Sequence, residues 1–207
     1  MSKKQWLQIL LINLVIALVI LSPFLPGPST LSSFTNTMYT IAQFSSMLLL
    51  IAIPMGVLAT IRQSVRKQKI SLFSLLAWII PFTIFCVSMF GAYPARSFSR
   101  KIAIQNATPI IQAIEAYYQV HQKYPDQLSD VSPQFLSKIP QTGIMGIANY
   151  EYEKRENSFD LSFSQNVLAG FNKEIVSYNP KYTYSSDDEA NQVYTAGKEK
   201  WLYYIAD

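Results

Sequence analysis

The sequence predicts an α+β protein: three transmembrane α-helices, then an extracytoplasmic domain of one long helix packed on a small antiparallel β-sheet. Three observations predict it. The first 93 of the 207 residues contain no Asp or Glu, and their six bases sit in two clusters separated by long apolar runs. From Arg96 to His121 apolar residues recur at helical spacing. After Tyr150 the period changes to two, the signature of strands with one buried face. The chain therefore divides into a membrane domain, residues 1–93, and an α+β domain, residues 94–207.

The first span covers about residues 6–25, an uncharged run of Leu, Ile and Val with Pro23 near its end. Some twenty such residues match a hydrocarbon thickness of about 30 Å. Lys3 and Lys4 precede it, as they would a signal peptide. The run is long for a signal core, however, and Leu25-Pro26-Gly27-Pro28 is a poor cleavage site, so the segment reads as an uncleaved helix. Ser29 to Thr40 reads as an uncharged loop. The second span runs over about residues 41–61, with Gln43 near one end and Pro54 and Gly56 inside; Gln43 is expected to hydrogen-bond a neighbouring helix. The third covers about residues 72–90 and includes Pro81 and Cys86. Cys86 is the only cysteine, so an intramolecular disulfide is impossible.

Between the second and third spans lies the densest basic segment, containing Arg62, Arg66, Lys67 and Lys69. Lys and Arg in short loops mark the cytoplasmic side. Lys3, Lys4 and these four residues thus put the N-terminus inside, and three crossings put everything after Tyr93 outside. Arg96, Arg100 and Lys101 oppose that rule mildly. Beyond Tyr93 eleven bases face thirteen acids. The pI near 9 is then a product of topology, and the basic stripe with interleaved aromatics that nucleic-acid binding needs is missing. No Asp, Glu, His, Lys or Arg lies within the spans, which speaks against transport.

In the second half, Ile110, Ile114, Tyr117 and His121 share one helical stripe. Thr108-Pro109 is either the start of this helix or a kink in one that begins near Ser97. Lys123-Tyr124-Pro125-Asp126 ends it, and Gln127 to Leu136 suggests a short second helix closed by Ile139-Pro140. Tyr150 to Lys154 and Phe159 to Phe163 alternate about a polar turn, Arg155 to Ser158, and read as a hairpin. Further strands are expected at Glu174–Tyr178, Gln192–Thr195 and Lys200–Ile205, with a turn at Ala196 to Glu199.

Ile110 to Tyr118, then Lys123-Tyr124-Pro125-Asp126-Gln127-Leu128, then Phe135 to Pro140, resembles the globular part of type II secretion pseudopilins, a type IV pilin-like domain, over about residues 108–163. The resemblance implies a long helix, a Tyr-Pro turn, an Ile-Pro and a small antiparallel sheet. It departs from the family in its three preceding spans, and in lacking both a leader and the early Glu of a pilin helix. The calcium-binding loop of that family is not matched; the acidic cluster Asp187-Asp188-Glu189 reads as a solvated loop.

No nucleophile elbow, zinc-binding helix, phosphate loop or paired-cysteine site is present. His121, the only histidine, reads as a helix-end residue packed on Tyr117 or Tyr118, and Ser99 with Lys101 as a basic helix start rather than a Ser/Lys dyad. The chain reads as a non-enzyme without cofactors. Its functional hint is the Tyr and Trp content of the sheet, since these residues favour both pleated surfaces and binding hot spots. Adjacent strand residues face opposite ways, so Tyr203 and Tyr204 cannot both be in the core. These two, with Tyr182 and Tyr184, form the candidate interaction surface. The expectation is a bacterial inner-membrane protein with a periplasmic domain that binds another envelope or secreted protein, as an accessory or assembly factor. The alternatives are an immunity protein against a periplasmic or membrane-acting toxin, and a membrane-bound enzyme of envelope polymer metabolism resting on His121, Glu115 or Asp126.

Overall fold

The computed structural model describes residues 3–168 and 170–206. Helix α1 (Lys3–Leu21) ends where Pro23 enters a 3₁₀ turn, Ser22–Phe24. Helix α2 (Ser32–Leu49) begins well before its expected start, so most of the stretch read as a loop up to Thr40 is helical. The reason is local. Thr35 Oγ1 and Thr37 Oγ1 donate back to the carbonyls of Leu31 and Ser33, which lets polar residues remain in a helix. Helix α3 (Ala52–Val65) follows after two residues, bent by 57° from α2. Pro54 stands in the first turn of α3, where its missing N–H has no intrahelical partner to lose, so it starts a helix instead of kinking one.

Helix α4 (Leu72–Cys86) is capped by the Ser71 hydroxyl, which accepts from the Ser74 N–H. One π-helical turn, Val87–Gly91, leads without a break into α5 (Ala92–His121). The two helices and the turn form a 50-residue rod, Leu72–His121. Lys3–Phe24 and this rod are each long and apolar enough to cross a membrane, and the bent α2–α3 pair makes a third crossing if it counts as one span. α3 packs on α4 through Gly56, where a Cβ would stand 2.9 Å from the Trp78 Cβ. At the other end of α3, Gln63 Nε2 donates to Ser74 Oγ and Gln63 Oε1 accepts from the Ser71 N–H.

The α+β half is built on α5. Ala103, Ala107, Ile110 and Ile114 are buried at steps of three and four, one apolar stripe turned to the sheet. Pro109 lies within this helix, which neither begins nor breaks at Thr108. It ends at Gln122, in a left-handed conformation. The second helix expected over residues 127–136 is only a 3₁₀ turn, Leu128–Val131. The Asp130 carboxylate takes the N–H groups of Asp126 and Gln127, and Pro133 follows too soon for a longer helix.

Five antiparallel strands follow: β1 (Glu151–Lys154), β2 (Phe159–Leu168), β3 (Asn172–Tyr178), β4 (Tyr194–Thr195) and β5 (Trp201–Ala206), in the order β1-β2-β3-β5-β4. A short helix α6 (Ser186–Ala190) precedes β4. Phe159, Leu161, Phe163, Val176 and Trp201 point inward onto α5 and close the main core.

The two halves are bonded to each other. The Gly27 N–H donates to the Gly143 carbonyl (2.9 Å), Met145 N–H to Leu25 (3.1 Å) and Gly146 N–H to Pro23 (2.8 Å). Asn36 Nδ2 also donates to the Gly146 carbonyl. A Cβ at Gly146 would lie 2.4 Å from the Pro23 oxygen, so only glycine permits this approach.

Candidate functional site

The residues of chemical interest form two groups, one beneath the sheet and one beside the turn between β4 and β5. The inner faces of β2 and β3 turn polar toward the ends that rest on α2, placing Gln165 and Glu174 over the start of α5. Glu174 Oε1 accepts from Arg100 Nη1 at 3.0 Å and from Gln165 Nε2 at 2.8 Å, and Arg96 Nε stands 3.6 Å from Oε2. Gln165 Oε1 in turn accepts from the Ser99 hydroxyl at 2.5 Å. Ser99, Arg100, Gln165 and Glu174 are all buried. Arg96 and Arg100, which seemed to oppose the charge rule, are consequently spent on an internal carboxylate. Ser99 has its hydroxyl committed, while Lys101 is exposed on the helix, so the two do not form a dyad.

Sequence reasoning missed this cluster. Its signal is Glu174, which falls on the same face of its strand as Val176 and Tyr178, matched by bases four residues apart on a helix.

The second group is an open cleft of about 480 Å³ beside the β4–β5 turn, lined by Lys181, Tyr182, Tyr184, Lys198, Lys200 and Trp201. The turn tightens through left-handed backbone at Gly197 and Lys200. Lys198 Nζ donates to Thr108 Oγ1 at 2.9 Å and pins the rim to α5. The Tyr182 hydroxyl donates to the Asp188 carboxylate, which also caps α6 by accepting from the Ser185 N–H. That bond pushes the Tyr182 phenol up to about 12 and holds Asp188 below the usual carboxylate range. Tyr204 and Tyr182 border an adjoining hollow with Asp160 and Asn179.

Three of the four tyrosines singled out in the sequence thus fall on one side of the domain. Tyr203 does not. Its register opposite Val176 turns it inward, with the Arg100 guanidinium 3.7 Å above its ring and the Tyr194 ring 5.4 Å away. Tyr204, its neighbour, is the outward member of the pair, and Tyr184 is similarly exposed.

The acidic cluster Asp187-Asp188-Glu189 lies in α6 and not in a loop, with Asp188 serving as a cap. No group of three His, Cys, Asp or Glu is placed to hold a metal among the described residues. The His121 ring packs on Tyr117 with centroids 4.3 Å apart and planes tilted by 39°, and faces Phe135 edge-on. Lys3, Lys4, Arg62, Arg66, Lys67 and Lys69 are all exposed, the first two opening α1, Arg62 in the last turn of α3 and the other three connecting α3 to α4. Comparison with protein-family models, with curated proteins and with solved structures finds no match to this chain.

Proposed function

We propose that this chain is a three-span protein of the bacterial inner membrane that presents a pilin-like α+β domain in the periplasm to bind another envelope or secreted protein. The observation that carries the binding role is the cleft. It gathers three lysines against one carboxylate, Glu199, with two tyrosines around an open volume, on a domain held to its anchor by backbone hydrogen bonds. Rigid aromatic side chains contribute contact area at low entropic cost, and the lysines favour a partner segment with acidic groups.

Three crossings are supported by the height of the bent pair. Near its top the Tyr39 hydroxyl faces the Ser88 carbonyl of the rod, and near its bottom Gln63 binds Ser71 and Ser74. α2 and α3 together therefore match the length of α4. Leu21, at the end of α1, lies 3.7 Å from where a Gly91 Cβ would be, so α1 and α4 run parallel and both start next to bases. That arrangement favours a cytoplasmic N-terminus. The pilin-like reading rests on the resemblance over residues 108–163 together with the long helix packed on an antiparallel sheet.

The test is photo-crosslinking in native membranes from probes at Tyr184 and Tyr204. Adducts to a second protein, lost when Lys181, Lys198 and Lys200 are replaced by Glu, are expected. Recovery of nothing beyond the chain itself would overturn the binding role. A captured toxin would move the reading to an immunity protein.

A further inference from the structure

The β2–β3 turn carries exposed apolar side chains. Phe171 is 71% exposed, and Leu168 and Ile205 are exposed beside it. The turn does not crown the domain; it lies against α2. The Val167 carbonyl accepts from the Tyr39 hydroxyl and from Gln43 Nε2, both at 3.2 Å. The Phe171 ring meets the Phe44 ring edge-on at 5.9 Å, and Gly170 rests on Thr40.

Its depth follows from these neighbours. Tyr39 also faces the carbonyl of Ser88, and Ser88 comes before Phe90 and Tyr93, whose exposed side chains still belong to the apolar surface of the rod. The first charged residue of the rod, Arg96, comes two turns after Ser88. Phe44 lies on from Tyr39 toward α3, about 7 Å further along the helix at 1.5 Å per residue. There it is flanked by Ile41, Met47 and Leu48, exposed on the same helix. Phe171 is thus level with side chains that have only lipid to face.

Non-helical backbone survives at such depth only where protein groups satisfy it. Tyr39 and Gln43, both buried, supply two donors to the Val167 carbonyl, and the Phe171 N–H closes the turn on the Leu168 carbonyl at 2.9 Å. Buried polar groups in a span are expensive without such a task.

We infer that the β2–β3 turn is inserted into the bilayer leaflet on the side of the α+β half, with acyl chains as its occupant. The inference rests on the membrane reading above. Continuity with the lipid-facing side of α2 selects this occupant over a second copy of the chain.

Spin-label accessibility in liposomes tests it, using the full chain with Cys86→Ala and single cysteines at Phe171→Cys, Leu168→Cys, Leu14→Cys and Glu153→Cys. Oxygen, which concentrates in hydrocarbon, should collide with the labels at 171, 168 and 14 more often than a polar nickel chelate does. The order should reverse at 153. A lipid-type ratio at 14 with an aqueous ratio at 171 and 168 overturns the insertion and leaves the spans intact. An aqueous ratio at 14 overturns both. Shielding of 171 from both reagents, present only in vesicles holding many copies, replaces the lipid by a second copy and also overturns it.

Discussion

Glu174 pairs with two guanidinium groups through one buried carboxylate, a hydrogen bond from Arg100 and a longer ion pair with Arg96. Removing one partner of such an assembly leaves charge buried without compensation, a loss of about 3–5 kcal/mol. Glu174→Ala should destabilise the α+β half by that order, read by denaturant unfolding in detergent. A loss like that of an ordinary surface substitution would show the cluster to be dispensable. The Tyr182–Asp188 bond sets a pH window. Asp188 has a depressed folded pKa, so its contribution is present above the ordinary carboxylate range and is lost as pH falls through the depressed value. Tyr182 has a raised one, so its contribution is present below the ordinary phenol value and is lost as pH rises through about 12. Ultraviolet titration of the wild type against Tyr182→Phe should place the missing phenol near 12, and against Asp188→Asn the transition of Tyr182 should move down.

The element most dependent on one atom is the strip joining Pro23–Gly27 to Gly143–Gly146. Gly146→Ala forces a methyl onto the Pro23 carbonyl and should cost on the order of 1–3 kcal/mol. Hydrogen exchange should report it as selective loss of protection at the amides of Gly27, Met145 and Gly146. Unchanged protection there would mean that the strip is not what ties the halves together. Most elements were legible in the sequence because their periods are local: the hairpin over 150–163, the last strands and the α5 stripe all follow from spacing. The start of α2 was not, since Thr35 and Thr37 look like loop residues until their hydroxyls are seen bonding back along the helix. Nor was the polar cluster, because Arg100 and Glu174 are 74 residues apart and nothing local links them. Among the candidate surface residues, alternation marked one of Tyr203 and Tyr204 as outward, but only the register with Val176 selects Tyr204.

At the scale of the molecule, the charge partition makes a topological claim that is easily checked. With Cys86→Ala as background, Lys67→Cys should be labelled by a membrane-impermeant maleimide only after the inner membrane is opened. Glu153→Cys should be labelled with that membrane intact. Labelling of both from one side would remove the crossing by α4. The reverse pattern, position 67 labelled with the membrane intact and position 153 only after opening, would turn the α2–α3 pair into a re-entrant element. Because α4 passes into α5 without a break, because the 22–27 strip is hydrogen-bonded and because the β2–β3 turn rests on α2, the α+β half is fastened at three separate places.

The unbroken rod also works as a spacer. The cleft is pinned to α5 at Thr108, which stands about 22 Å along the helix from Tyr93 at 1.5 Å per residue. A Debye length near 8 Å at physiological ionic strength fits more than twice into that distance. On the membrane placement proposed above, the attraction of anionic headgroups has decayed before it reaches Lys181, Lys198 and Lys200. A lipid surface would then not neutralise their positive charge and would leave it available to a partner approaching from the aqueous side.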